Sequence, residues 1–353
     1  MMKTILVTGG TGFIGSHTSL ALIEKGYKLL LLDSLENSSI KVIDRITNLS
    51  KIEKNKISSY INFLKGDIRD EAFLNDIFEI YKKKNNKIDA VIHFAGLKSV
   101  DESTKNPIKY WDINVSGTIK LIKVMEKFEC FNLVFSSSAT IYGVKNNNNL
   151  IKESDSISPI NTYGRTKEAV ELILRDLSKV LNSKWRIAVL RYFNPIGAHP
   201  SGLIGENPLN EPNNILPIIN RVAAGKIKEL KIFGNDWETT DGTGVRDYIH
   251  VMDLAEGHIS ALEYLLKSNN SYLELNLGTG KGTSVLELVN CFSMANKVKI
   301  PFKFSNRREG DTPYSVADNT LAKLKLNWEP KRDLYKMCKD SWKWFTKNPE
   351  GFK

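Results

Sequence analysis

The sequence predicts an α/β protein: a Rossmann-type doubly wound parallel sheet with a smaller, mixed α/β C-terminal substrate domain. Three observations carry that expectation. Short apolar runs alternate with helical periodicities through the first half of the chain, as buried parallel strands joined by crossover helices require. A glycine-rich turn, "TGGTGFIG", follows the first of these runs. After Tyr192 the alternation gives way to "NPIGAHPSGLIGENPLNEPNN", a stretch rich in Gly, Pro and Asn and therefore irregular.

In chain order, apolar runs at 4–7, 28–32, 61–64, 90–94, 133–135 and 187–190 read as strands. Helical patterns lie between them at 13–25, around 42–49, and at 70–81, 107–127 and 163–181. Residues 1–192 form the expected cofactor-binding domain and 193–353 the substrate domain. The segment 251–276 is expected to return to the first domain, because "YLELNLG" reads as another sheet strand. The chain closes on an aromatic helix containing "WKWF", and "VKNNNNLIKESD" reads as a polar loop.

At 353 residues, two domains of ordinary size are expected. No apolar run approaches the ~20 residues that cross a bilayer, and "MMKTILVTGG" leads into a strand-like run with no signal-peptide layout. Cys130, Cys291 and Cys338 are widely spaced, match no metal pattern and read as buried, reduced thiols of a cytoplasmic protein. The net charge of +10 comes from lysine scattered among asparagine, as in "KKKNNK". No aromatic-interleaved basic face accompanies it, which argues against nucleic acid; a doubly charged anionic substrate would be favoured.

The glycine turn has the context of a dinucleotide site. Gly9, Gly12 and Gly15 let backbone N–H groups and a helix N-terminus approach a pyrophosphate. Asp33 closes the second strand in "LLLLD", where a carboxylate accepts from an adenosine ribose and repels a 2′-phosphate. The expected cofactor is therefore NAD rather than NADP. Asp67 and Ile68 fall at a strand end where an adenine can lie. Ala95 and Gly96 fall near the dinucleotide backbone, with Lys98 in reach of a ribose or phosphate. His93, inside an apolar strand, reads as a packed core histidine.

In "NTYGRTK", Tyr163 and Lys167 stand four apart and share one helical face. A tyrosine near pKa ~10 is a poor base at neutral pH. A neighbouring ammonium and a positive nicotinamide favour the phenolate, and reaching about 7 takes roughly 4 kcal/mol. Such a group takes a hydroxyl proton while hydride leaves the same carbon. Ser138, in "SSSATIYG" at the end of the preceding strand, is placed to bond the reacting oxygen.

With these motifs, and with "VIHFAGLKSV", "LRYFNPIGAHPSG", "DGTGVRDYIHVMDLA" and "RREGD", the chain resembles the extended short-chain dehydrogenase/reductase superfamily. Within it the chain is similar over nearly its full length to the UDP-glucose 4-epimerase family. The resemblance implies reversible C4 epimerisation of UDP-glucose and UDP-galactose through a 4-keto intermediate, with NAD retained. It implies a homodimer built on the helices at 107–127 and 163–181. It puts catalysis on Ser138, Tyr163 and Lys167. NAD contacts fall on Phe13, Ile14, Asp33, Ser34, Leu35, Glu36, Asn37, Ser38, Asp67, Ile68, Phe94, Ala95, Gly96, Leu97, Lys98, Asn114 and Phe193. UDP-sugar contacts fall on Asn194, Asn214, Ile215, Lys231, Ile232, Phe233, Arg246, Arg308 and Asp311. Two arginines bracketing a diphosphate suit guanidinium geometry.

One position departs from members restricted to non-acetylated sugars, which carry a bulky tyrosine where this chain has Ser315. A small residue leaves room for a 2-acetamido group, although Tyr314 is placed to refill the space. Three other readings share parts of the pattern. A sugar-nucleotide 4,6-dehydratase calls for Asp-Glu after the active-site threonine, but Ile141 and Tyr142 follow Thr140. A pentose or uronate 4-epimerase differs only in its contacts to the sugar's C6. A non-catalytic NAD-binding module keeps the glycine loop but has no use for Tyr163 with Lys167.

Overall fold

In the first strand Ile5 and Val7 belong to one apolar core and Leu6 to another, yet all three are fully buried. A strand turns successive side chains to opposite faces, so this burial requires helices on both sides of the sheet. The computed structural model describes residues 2–145, 149–209, 211–212, 214–269, 271–308 and 310–352. Part of the polar loop, 146–148, and Glu309 of "RREGD" lie outside the described residues.

The first half runs β1 (Thr4–Thr8), α1 (Phe13–Glu24), β2 (Lys28–Asp33), α2 (Lys41–Leu49), β3 (Ile61–Lys65), α3 (Glu71–Lys83) and β4 (Ile88–His93). It continues through α4 (Val100–Lys105), α5 (Pro107–Trp111), α6 (Gly117–Lys127), β5 (Asn132–Ser136), α7 (Thr162–Lys179) and β6 (Arg186–Tyr192). The rest comprises β7 (Asn194–Ile196), α8 (Ile215–Ala223), β8 (Leu230–Phe233), β9 (Val245–Arg246), β10 (Tyr248–His250), α9 (Val251–Lys267) and β11 (Ser271–Leu277). It ends with β12 (Thr283–Ser284), α10 (Val285–Asn296), β13 (Phe302–Ser305), β14 (Tyr314–Ser315), α11 (Thr320–Leu326) and α12 (Leu334–Lys347).

Seven strands form one parallel sheet in the order β3-β2-β1-β4-β5-β6-β11. One face carries α1, α2 and α9, through residues such as Leu20, Val42 and Leu262. The other carries α3, α6 and α7, through Leu74, Leu121 and Val170. The strand order reverses between β1 and β4, which opens a crevice at their carboxyl ends. As the alternation predicted, β11 joins this sheet beside β6.

The helix expected over 107–127 is broken. Its middle, Asp112–Ser116, is a π-helical turn between α5 and α6. The turn carries Asn114, whose side chain bonds Leu97 and Thr166 outside the helix. Such bulges widen a helix locally and need tertiary contacts to persist, which periodicity cannot report. The unanticipated α4 is capped by Ser99 and ends before Pro107, whose ring disfavours helix in the residue preceding it.

The C-terminal elements build a third core around Ile219, Leu230, Phe292 and Met337 under α8, α10 and α12. The cysteine reading needs one correction. All three thiols are free, but Cys291 is only half-buried, and its thiol is hydrogen-bonded to that of Cys338. Packing of α10 on α12 joins residues that are distant in sequence.

The buried Asp247 ties these parts together. Its carboxylate accepts from Thr279 N (2.7 Å) and Oγ1 (2.6 Å), Gly280 N (2.9 Å) and Ala317 N (3.2 Å). Its own N–H donates to Ser315 O, and its carbonyl accepts from Asn194 N. Asp247→Asn aims an NH₂ donor into a ring of donors. The expected loss is about 2–3 kcal/mol, read as a lower urea midpoint with an unchanged slope.

Candidate active site

The glycine turn has the shape a dinucleotide needs. Gly9 has φ +67°, and a Cβ there would stand 2.8 Å from Ala95 N, so the turn after β1 can lie this close to the loop after β4 only with glycine at position 9. A Cβ on Gly15 would meet Gly9 O at 2.1 Å. Gly12 caps α1 without any side-chain hydrogen bond, and the first turn of α1 carries no acidic residue. The leading N–H groups, including those of Phe13 and Ile14, have no acceptor within the helix and suit a pyrophosphate.

Asp33 lies beside this turn, buried at the end of β2. It accepts from Thr11 N (3.1 Å), Leu35 N (2.9 Å) and Ser38 Oγ (2.8 Å), which leaves acceptor capacity for a ribose hydroxyl. Ser34 is exposed. Glu36 accepts from Lys109 Nζ at 2.7 Å and Asn37 from Leu209 N at 3.2 Å. Asp67 is clasped by Arg69, whose guanidinium holds its carboxyl below the usual range. The Ile68 side chain is buried in the core. Phe94 packs against the His258 ring at 4.7 Å. A Cβ on Gly96 would stand 3.0 Å from Asn114 Oδ1 and 4.0 Å from Lys167 Nζ, so this loop presses on the catalytic helix. These residues fit NAD, with Asp33 at its ribose and the α1 terminus at its phosphates.

Lys98 is paired across the crevice with Glu206 (3.2 Å), which also accepts from Asn214 Nδ2 (2.6 Å). The Asn114 amide is engaged by Leu97 and Thr166. Phe193 is buried in a small cluster with Ile141 and Tyr142. His93 is the packed histidine expected: its ring bonds Thr8 and Thr118, and burial pulls it down to about 3.

Tyr163, Lys167 and Ser138 come together. Asn161 caps α7 by accepting from Gly164 N (2.8 Å), and Gly164 lets the helix start lie close to Thr140 O. That approach sets Tyr163 beside Ser138, whose hydroxyl oxygen accepts from Thr140 N (3.3 Å) and Oγ1 (3.0 Å). Lys167 Nζ lies 5.9 Å from the Tyr163 ring centroid and 4.9 Å from that of Phe135. It donates to Ser136 O at 2.8 Å, leaving two donors for a ligand.

The electrostatics set a condition on the sequence reading. Burial pushes the Tyr163 phenol far above its ordinary range, Tyr192 adds to the rise, and the Ser138 hydrogen bond offsets part of it. Burial also pulls the Lys167 ammonium down to about 8. The chain by itself therefore holds Tyr163 protonated. Desolvation dominates the shift, and a positively charged ligand would act against it.

The nucleotide-tail residues converge less than expected. Arg246 donates to Val245 O (2.9 Å) and Thr312 O (2.7 Å) and lies 3.8 Å from Asp311. Arg308 reaches the same carboxylate at 3.2 Å and sits over the Phe233 ring at 4.7 Å. Two guanidinium groups on one carboxylate leave net positive charge for phosphate oxygens. Ile232 is buried beneath β8, Lys231 is exposed on it, and Ile215 opens α8 after Asn214. Asn194 bonds Asp247, the neighbour of Arg246. Ser315 pairs with Arg246 across β14 and β9. Tyr314 precedes it on the same strand and therefore faces the other way, with its ring near Gly282. The expectation that Tyr314 refills the space beside Ser315 is thus not met.

Sequence reasoning missed a buried ionic group behind Lys167. Glu171 and Arg191 are both 0–1% exposed and bond each other through Arg191 Nε and Nη2, the latter at 2.6 Å. Arg191 also reaches Glu274 (2.7 Å) and Tyr142 (3.1 Å), and Ser137 Oγ donates to Glu171 at 2.5 Å. The available signal was Glu171 at four residues from Lys167, on the same helical face.

Comparison with known proteins places the whole chain in a family. The family model described as GDP-mannose 4,6 dehydratase matches residues 6–341. The UDP-glucose 4-epimerase 2 of Arabidopsis thaliana is 48% identical over 352 residues, covering 100% of this chain and 97% of the relative. The crystal structure of a UDP-glucose-4-epimerase from Stenotrophomonas maltophila, with bound NAD and formylated UDP-arabinopyranose, is 44% identical with a TM-score of 0.92, covering 99% of both chains. That of the Bifidobacterium longum UDP-glucose 4-epimerase, in complex with NAD+ and UDP, is 42% identical with a TM-score of 0.90, covering 99% of this chain and 100% of the other. By full-length identity, fold and retained site motifs, this chain belongs to the UDP-glucose 4-epimerase family of the extended short-chain dehydrogenase/reductases.

Proposed function

We propose that this enzyme interconverts UDP-glucose and UDP-galactose by NAD-dependent inversion at C4, in the cytoplasm and as a homodimer. The observation that carries the reading is the gathering of Tyr163, Lys167 and Ser138, all three buried, where β5 ends and α7 begins. Residues 1–192 with 251–276 bind the cofactor, and the remainder of 193–353 binds UDP-sugar. NAD, when bound, supplies reversible hydride transfer and a positive ring. Tyr163 takes the proton of the sugar's 4-hydroxyl, Ser138 bonds the same oxygen, and Lys167 supports the phenolate by charge. Arg246 and Arg308 grip the diphosphate, so the hexose is held through its tail. The flat 4-keto sugar then turns about its phosphate linkage, receives hydride on its other face and regains the proton from Tyr163. A dehydratase would need acids after Thr140, and the residues there, Ile141 and Tyr142, are buried members of an apolar cluster. In Tyr163→Phe, with fold and NAD content retained, kcat falls about 10²–10⁴-fold in an assay of UDP-galactose conversion.

Sugar range follows from Ser315. It adjoins Arg246, while the Tyr314 ring lies on the opposite side of β14. A serine takes up less volume than the bulky tyrosine of members restricted to non-acetylated sugars, which supports the reading that the enzyme also epimerises UDP-N-acetylglucosamine. Product analysis by NMR detects that turnover, and its absence at high enzyme concentration removes the proposal.

The dimer reading rests on an apolar surface where these helices lack cover. Ile108 is 79% exposed on α5, beside Trp111, and Leu172 is 49% exposed on α7. Exposed aliphatic groups on neighbouring helices suit burial against a second copy. Leu172→Glu shifts the mass in light scattering from dimer to monomer, with the fold retained.

A further inference from the structure

The ionic pair behind Lys167 is larger than packing alone requires. Arg191 and Glu171 lie in the core, where an apolar pair of similar volume is commonly as stable. Glu171 stands one turn beyond Lys167 on α7, and its carboxylate is the charged group among the described residues that raises the Lys167 titration against burial. The other groups facing Lys167 supply no counter-charge. His93 on β4 is neutral at physiological pH, and the Ser136 carbonyl is a dipole. Arg191 on β6 and Lys98 after β4 are themselves cations. Glu171 also accepts from Ser137 Oγ at 2.5 Å, immediately before Ser138. One carboxylate thus stands one turn from Lys167 on α7 and bonds the residue before Ser138 at the end of β5.

We propose that Glu171 is a positioning residue for catalysis: it keeps the Lys167 ammonium charged and, through Ser137, holds the strand end that carries Ser138. Arg191 is its anchor, fixing the carboxylate through two nitrogens so that it cannot rotate away. This inference rests on the assignment of Tyr163 and Lys167 to proton transfer.

The test separates the two. Lysines labelled with ¹³C at Cε are titrated by NMR in the full-length protein, the Lys167 resonance being the one lost in Lys167→Met. In Glu171→Gln, which keeps the volume and the acceptor for Ser137, the Lys167 midpoint drops by about one pH unit. The alkaline limb of kcat moves down with it, so activity lost at pH 8 is recovered near pH 6 and KM for UDP-glucose stays put. A merely structural role lowers activity equally at all pH values and leaves the midpoint in place; that result overturns the proposal. Should Glu171→Gln fail to fold, Glu171→Asp retains the charge, and a Lys167 midpoint displaced by a full unit in that variant is equally fatal. Ser137→Ala leaves the ion pair intact and lowers kcat about 3–10-fold without moving the limb; unchanged kcat removes the strand-end role. If Lys167→Met itself retains normal turnover, the underlying assignment fails instead, independently of Glu171.

Discussion

Desolvation of two side chains on one face of α7 governs this molecule. Tyr163 and Lys167 are both about 6% exposed, and burial shifts each toward its neutral form: the phenol upward, the ammonium down to about 8. Neither shift is useful to a folded chain for its own sake. Together they make a site whose proton chemistry is off until a cation lies beside it. The surrounding structure serves that constraint. The Asn161 cap and Gly164 bring α7 close to the end of β5, the π-turn at Asn114 braces the loop after β4, and the Ser136 carbonyl holds the ammonium.

A second constraint separates grip from chemistry. The positive charge that favours phosphate is concentrated in Arg246 and Arg308, on the C-terminal elements, joined through Asp311. The groups proposed for proton transfer, Tyr163 and Lys167 on α7 and Ser138 just after β5, stand beside the parallel sheet. The two regions meet through a short covalent and hydrogen-bonded path, from Tyr192 along Phe193 and Asn194 to Asp247 and Arg246. Holding a sugar by its nucleotide tail leaves the ring free to turn, which inversion at one carbon by a single base requires.

Much of this was legible in the chain. The sheet could be read because fully buried strands are apolar on both faces, and Leu29 to Leu32 are at most 1% exposed. The return of β11 to the sheet could be read from the strand-like run "YLELNLG". Tyr163 and Lys167 could be paired because four residues make roughly one turn. What escaped was tertiary. The π-turn depends on Asn114 finding partners in other elements. The Cys291–Cys338 contact depends on helix packing, and the orientation of Tyr314 on strand parity. The depth of burial around Tyr163, the largest cause raising its phenol, escaped as well.

The central claim is that burial keeps the Tyr163 phenol protonated in the free chain and that bound cofactor charge releases it. Ultraviolet difference titration of tyrosine ionisation, with and without NAD+ and with Tyr163→Phe as the blank, tests this directly. The account predicts that the free protein ionises this phenol only well above the ordinary tyrosine range, and that the loaded protein ionises it near neutrality. A midpoint near neutrality in the free protein, or one that does not move on loading, contradicts it.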